Sequence, residues 1–134
     1  MKSQKFGLLI LVAVLATPAR AHHSFAAEYS ADQPITLTGR LTKVEWINPH
    51  GWIYVDVKGD DGKVTTWSVE FGAPNTLLGR GLRKSDFPTG VEVVVKGYRA
   101  KSGTPTINGT SVKLPDGRNL FTGSSGSEAP GANQ

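Results

Sequence analysis

The chain contains no cysteine, and its single methionine is Met1. Without cysteine there is no disulfide framework to brace a small exported domain, no thiolate nucleophile and no soft ligand of the kind a copper(I) carrier uses. Long apolar runs are equally scarce. The one present, Phe6 to Ala16, is closed by Thr17, Pro18 and Arg20, well short of the roughly 20 apolar residues a membrane-spanning helix needs. Charge of one sign is also missing from the body of the chain. The formal charge is +4, but Lys2, Lys5 and Arg20 are three of the fifteen basic residues, and all eleven acidic residues lie beyond residue 21. From His22 onward the balance falls to +1, which removes the basic surface that nucleic-acid binding requires. There is no GxSxG elbow, and Gly79-Arg80-Gly81 follows a helical pattern instead of opening one, so neither an activated serine nor a phosphate-cradling loop is expected. Glu45, Glu70 and His50 are capable of acid–base work, yet no nucleophile is paired with them, and the sequence gives no reason to assign an enzyme.

What the chain does contain begins with an export signal. Lys2 and Lys5 give a positive start, the apolar run follows, and Ala19-Arg20-Ala21 supplies a small-x-small cleavage pattern. Residues 1–21 read as a signal peptide cut after Ala21, delivering a chain that starts at His22 to the periplasm or the medium with no remaining membrane span. The expected division is an extended amino-terminal segment over 22–33, one β domain over 34–121, and a tail over 122–134 whose composition, TGSSGSEAPGANQ from Thr122, is that of a disordered segment.

Period-two alternation dominates the middle of the chain. In Pro34 to Trp46 the apolar residues Ile35, Leu37 and Leu41 share one parity, and Val44 and Trp46 the other. That switch predicts a β-bulge near Thr42-Lys43. Trp52 to Lys58 carries the apolar file Ile53, Val55 and Val57, and Gly59 to Lys63 reads as a hairpin loop with Gly62 in the left-handed position. The resulting register pairs Ile53 with Val69, Val55 with Trp67 and Val57 with Thr65. One short helix is expected from Ala73 to Gly81, with Pro74 in its first turn. Further strands are expected over Val91–Tyr98 and Thr106–Leu114. Three strands, a short helix and two strands, with a long curved first strand, give an all-β class and a small five-stranded OB-fold-like barrel.

Several motifs then combine. "HHSFAAEY" directly after the signal, "LTGRLTKVEWINPH", a "WSVEFGAP" segment and a closing "LPDGR" resemble an uncharacterised family of small secreted proteobacterial proteins classed as a domain of unknown function. The resemblance runs from His22 to about Leu120 and implies an exported single β domain. It implies no activity, substrate or site residue.

Two constellations carry chemistry. If cleavage exposes His22, its α-amino group and imidazole can chelate one cation, and His23 and His50 are further imidazole donors; nitrogen ligands of this kind suit copper(II) or zinc. Ser24 at the third position excludes the other amino-terminal copper motif, which needs histidine there. The dozen residues from His22 to Gln33 reach about 40 Å when extended, enough to run back along the first strand and meet His50. The second constellation lies on the outward face of the hairpin, where Trp52 and Tyr54 project beside Glu70. Such a face suits a glycan, a peptide or a partner protein, unless the helix, the amino-terminal segment or a subunit partner covers it.

Overall fold

The computed structural model describes residues 25–123. A helical turn, α1 (Phe25–Glu28), leads into a 17-residue strand, β1 (Tyr29–Glu45); β2 (Trp52–Lys58) and β3 (Val64–Glu70) follow as a hairpin. A short helix α2 (Pro74–Gly79) and a 3-10 turn (Lys84–Asp86) precede β4 (Glu92–Ala100), β5 (Thr106–Lys113) and β6 (Asn119–Phe121). The protein is a mostly antiparallel six-stranded sheet in the order β3-β2-β1-β4-β5-β6, with an additional parallel pairing of β3 with β5. That pairing returns one end of the sheet onto the other, so β1, β2, β3, β5 and β4 form a ring.

The length of β1 is what makes the ring possible. Its first part pairs with β4, from Tyr29↔Ala100 to Arg40↔Glu92, and its last part pairs with β2, from Arg40↔Asp56 to Glu45↔Trp52. The hand-over is aided by a bulge between Leu41 and Lys43, where the Thr42 hydroxyl donates to the Tyr54 carbonyl at 3.1 Å. An unpaired residue shifts every later side chain to the opposite face. Leu37 and Leu41 before the bulge, and Val44 and Trp46 after it, accordingly all reach one core despite their opposite parity.

The β2–β3 register is the expected one: Ile53 faces Val69, Val55 faces Trp67 and Val57 faces Thr65. Gly62 sits at φ +79° in the connecting turn, which Gly59 N–H closes by donating to the Lys63 carbonyl at 2.8 Å. Close packing between β4 and β5 needs glycine for a different reason. A Cβ on Gly97 would lie 2.2 Å from the Asn108 carbonyl oxygen, and the ladder shifts register at that point.

Ile53, Val55, Val69, Val93, Val95, Ile107 and Val112 fill the interior, each almost fully buried. At one end Leu77 of α2 is fully buried, and Phe87 packs against Phe71 (ring centroids 5.3 Å apart) and Trp46 (5.9 Å). Pro74 opens α2 where its missing N–H costs nothing. Among the described residues no helix is long and apolar enough to cross a membrane.

The structure departs from the expected organisation in three places. The first strand starts at Tyr29, five residues before Pro34, so 29–33 are extended, but Phe25–Glu28 ahead of it form a helical turn. The cause is a second small core. Phe25 and Tyr29, spaced four apart, stack at 5.8 Å, and Tyr98 meets Phe25 edge-on at 5.5 Å. The Lys101 ammonium donates to the Ala26 carbonyl at 2.5 Å, and the Lys101 N–H to the Glu28 carbonyl at 2.8 Å, satisfying acceptors left by the turn. Second, a sixth strand is present: Leu120 is buried and pairs with Val112, although three residues are too few for a readable alternation. Third, Thr122 and Gly123 are not part of a loose tail. Thr122 is fully buried, its N–H donates to the Thr110 carbonyl at 3.0 Å, and the Arg80 guanidinium donates to the Gly123 carbonyl at 2.7 Å. The signal reading over 1–21 and the rest of the tail lie outside the described residues.

Candidate functional site

A cleft of about 480 Å³ opens beside the small aromatic core. One wall is made by Ala27, Glu28 and Tyr29, where α1 runs into β1. A second carries His50 from the β1–β2 loop, Trp52 at the start of β2 and Glu70 at the end of β3. The third is Ala100 to Thr106 around the β4–β5 loop, with Lys101, Ser102, Thr104 and Thr106 lining it.

Glu70 occupies the middle of this arrangement. Its pairing opposite Trp52 puts it on the outward face of the hairpin, where the strand pattern alone would leave it solvated. Instead it is only 8% exposed, because the start of β1 crosses over it. The Tyr29 hydroxyl, itself buried, donates to Glu70 Oε2. Glu70 Oε1 lies 3.1 Å from His50 Nδ1. Each carboxylate oxygen therefore has its own partner. Burial, then the hydrogen bond to Glu70 and its charge, push the Tyr29 hydroxyl far above the ordinary tyrosine value.

His50 follows the cis Asn48–Pro49 bond, and the Gly51 carbonyl accepts from Phe71 N–H at 2.7 Å, locking the loop against the end of β3. Besides Glu70, His50 Nδ1 lies 3.2 Å from the Phe71 carbonyl oxygen. Both neighbours are acceptors, so Nδ1 carries a proton and, in the neutral ring, the lone pair lies on Nε2. Among the described residues both polar contacts of His50 go through Nδ1. A partly exposed imidazole in a cleft, its far nitrogen held by a buried carboxylate, can bind a metal ion through Nε2 or accept a proton there.

The expected site residues divide accordingly. His50, Trp52 and Glu70 share the cleft. Tyr54 is not among the cleft-lining residues: two pairs further along the hairpin, its hydroxyl donates to Glu45 Oε2 at 3.0 Å and its ring lies 5.1 Å from the Lys43 ammonium. Lys43 also bonds Glu45, and these two partners, Lys43 first, hold the Glu45 carboxyl below its usual value. Burial and the Glu45 contact push the Tyr54 hydroxyl up. Trp52 and Tyr54 are both half-buried. His22 and His23 lie outside the described residues. Among the described residues no cluster of three or more His, Asp or Glu side chains is grouped to hold a metal ion.

Tyr29 and the β4–β5 loop were not singled out by the sequence reading. The one hint of Tyr29 was the aromatic pair Phe25 and Tyr29, but a four-residue spacing shares a face in a helix and in a strand alike and did not single it out.

A model for a family of unknown function, DUF6152, matches residues 10–110. The chain belongs to that family. The match takes in α1, the Tyr29–Glu70–His50 contacts and the β4–β5 loop, so the whole described cleft falls within the DUF6152 region. No curated protein and no solved structure matches the chain.

Proposed function

We propose that this protein is an exported periplasmic binding module that takes up copper or zinc at the cleft, through His50 Nε2 together with the α-amino group and imidazole of His22 and the imidazole of His23. The observation that carries the reading is His50 itself, whose Nδ1 faces two acceptors and leaves Nε2 for a ligand. A carboxylate or carbonyl behind the non-coordinating nitrogen is the usual environment of a metal-binding histidine. The amino-terminal segment supports it too. His22 is three residues before Phe25, a span of at most about 11 Å of extended chain, and Ala27 and Glu28 already line the cleft. The route differs from a segment running back along β1: the start of β1 itself supplies the cleft wall.

The fold reading is an OB-like barrel. Its support is the ring order β1-β2-β3-β5-β4, the parallel β3–β5 pairing and a helix between β3 and β4. In OB-folds the β1–β2 and β4–β5 loops flank the ligand, and in this chain those two loops supply His50 and Lys101 to Thr104 to one cleft.

Titration of the chain beginning at His22 with copper(II) and with zinc tests the proposal. One equivalent bound by the parent chain and lost in His50→Ala supports it; equal weak binding by both removes it. A second reading, a periplasmic adaptor for a glycan, peptide or partner protein, is favoured by Trp52 in the cleft wall and by the hydroxyls opposite it. Ser102 Oγ and Thr104 Oγ1 are 2.8 Å apart, and Thr104 donates to Thr106 Oγ1 at 3.3 Å.

A further inference from the structure

We infer that Tyr29 and Glu70 are positioning residues that couple the docking of the amino-terminal turn to the orientation of the His50 ring. The inference deepens the metal reading, on which its binding arm rests. Three segments distant in sequence meet in one line: Tyr29 opens β1, Glu70 closes β3, and His50 lies in the loop between β1 and β2. β1 pairs with β2 and β4 and has no ladder to β3, so the Tyr29 hydroxyl crosses from one strand to a strand that is not its neighbour. Glu70 has one oxygen committed to each partner. A rotation of its carboxylate that follows Tyr29 takes the acceptor away from His50, and a largely buried carboxylate gives up either bond at a cost.

Tyr29 is also held by the turn. It stacks on Phe25, and the Glu28 carbonyl beside it is bound by Lys101 N–H at 2.8 Å. Docking of residues 25–28 therefore fixes Tyr29, Tyr29 fixes Glu70, and Glu70, together with the Phe71 carbonyl 3.2 Å from the same Nδ1, fixes which nitrogen of His50 faces the ligand. The segment that would bring His22 to the site also prepares the ring that receives the ion.

Imidazole nitrogen NMR of the metal-free chain tests the coupling, at about pH 8.5, above the ordinary imidazole range, with the His50 signals assigned from His50→Ala. The expected pattern in the parent is a protonated Nδ1 and a bare Nε2. Tyr29→Phe, which keeps the ring and its stacking, is expected to shift His50 toward the mixed tautomers of a free histidine, and Glu70→Ala further still. Copper(II) affinity, in parent and variants of unchanged circular dichroism, is expected to fall by about 10- to 100-fold in Glu70→Gln, the range seen when such supporting groups are removed. A bare Nδ1 in the parent, or a His50 pattern unaltered in Tyr29→Phe and Glu70→Ala, would overturn the inference. Because the NMR arm uses no metal, it stands or falls separately from metal binding.

Discussion

Glu70 Oε1 lies 3.1 Å from His50 Nδ1, while Glu70 Oε2 accepts from the Tyr29 hydroxyl. One buried carboxylate thus ties the loop after β1 to the start of β1, 41 residues from Tyr29 in sequence. The stability of the cleft and its chemistry share the same atoms.

The first consequence concerns alkaline stability. The folded-state value of Tyr29 is raised above the ordinary tyrosine value of about 10, by burial first and by Glu70 second. A raised value means that this group's stabilisation is complete below about pH 10 and is lost as pH climbs toward the folded value. Urea unfolding from pH 8 upward is expected to show a decline beginning near pH 10 that is smaller in Tyr29→Phe. At pH 8 the same variant is expected to be less stable by about 1–3 kcal/mol, the cost of leaving a buried acceptor short of its donor.

Two glycines separate space from conformation. A Cβ at Gly97 would meet the Asn108 carbonyl oxygen at 2.2 Å, whereas at Gly79 nothing lies within 4 Å. Gly97→Ala is expected to cost at least about 1–3 kcal/mol, as forced overpacking does. Gly79→Ala, in the last turn of α2, is expected to change stability by less than about 1 kcal/mol. Thermal melts of both variants check the contrast, and equal effects would contradict the close approach of β4 and β5.

Trp52 and Tyr54 are expected to part company. Trp52 lines the cleft and Tyr54 is engaged with Glu45 and Lys43. Trp52→Ala is expected to alter binding of any ligand that enters the cleft, and Tyr54→Ala to leave it unchanged. Copper(II) titration of both variants measures this.

Much of this organisation was written in local pattern. The bulge at Thr42, the left-handed Gly62 and the β2–β3 pairing all follow from alternation and turn chemistry that neighbouring residues specify. Pro74 and the glycines likewise marked the ends of α2. The register of the ring closure was not legible, because the parallel contact of Ser68 with Thr106 joins strands with no turn between them to fix it. The burial of Glu70 was left open by the sequence: cover of its face by the amino-terminal segment was one alternative, and the Tyr29 hydroxyl at the start of β1 reaches Glu70. His50 and Glu70 could each be chosen from sequence as candidates, yet their contact could not, because it depends on how the β1–β2 loop folds against the end of β3.

The most direct test of the account compares copper(II) binding by the chain that begins at His22 with the same chain carrying one added alanine before it. The account predicts one tightly bound equivalent for the chain starting at His22 and a large loss of affinity when the α-amino group is moved off His22. Equal, weak binding by the two chains would contradict it and leave the cleft beside Trp52 to a different ligand.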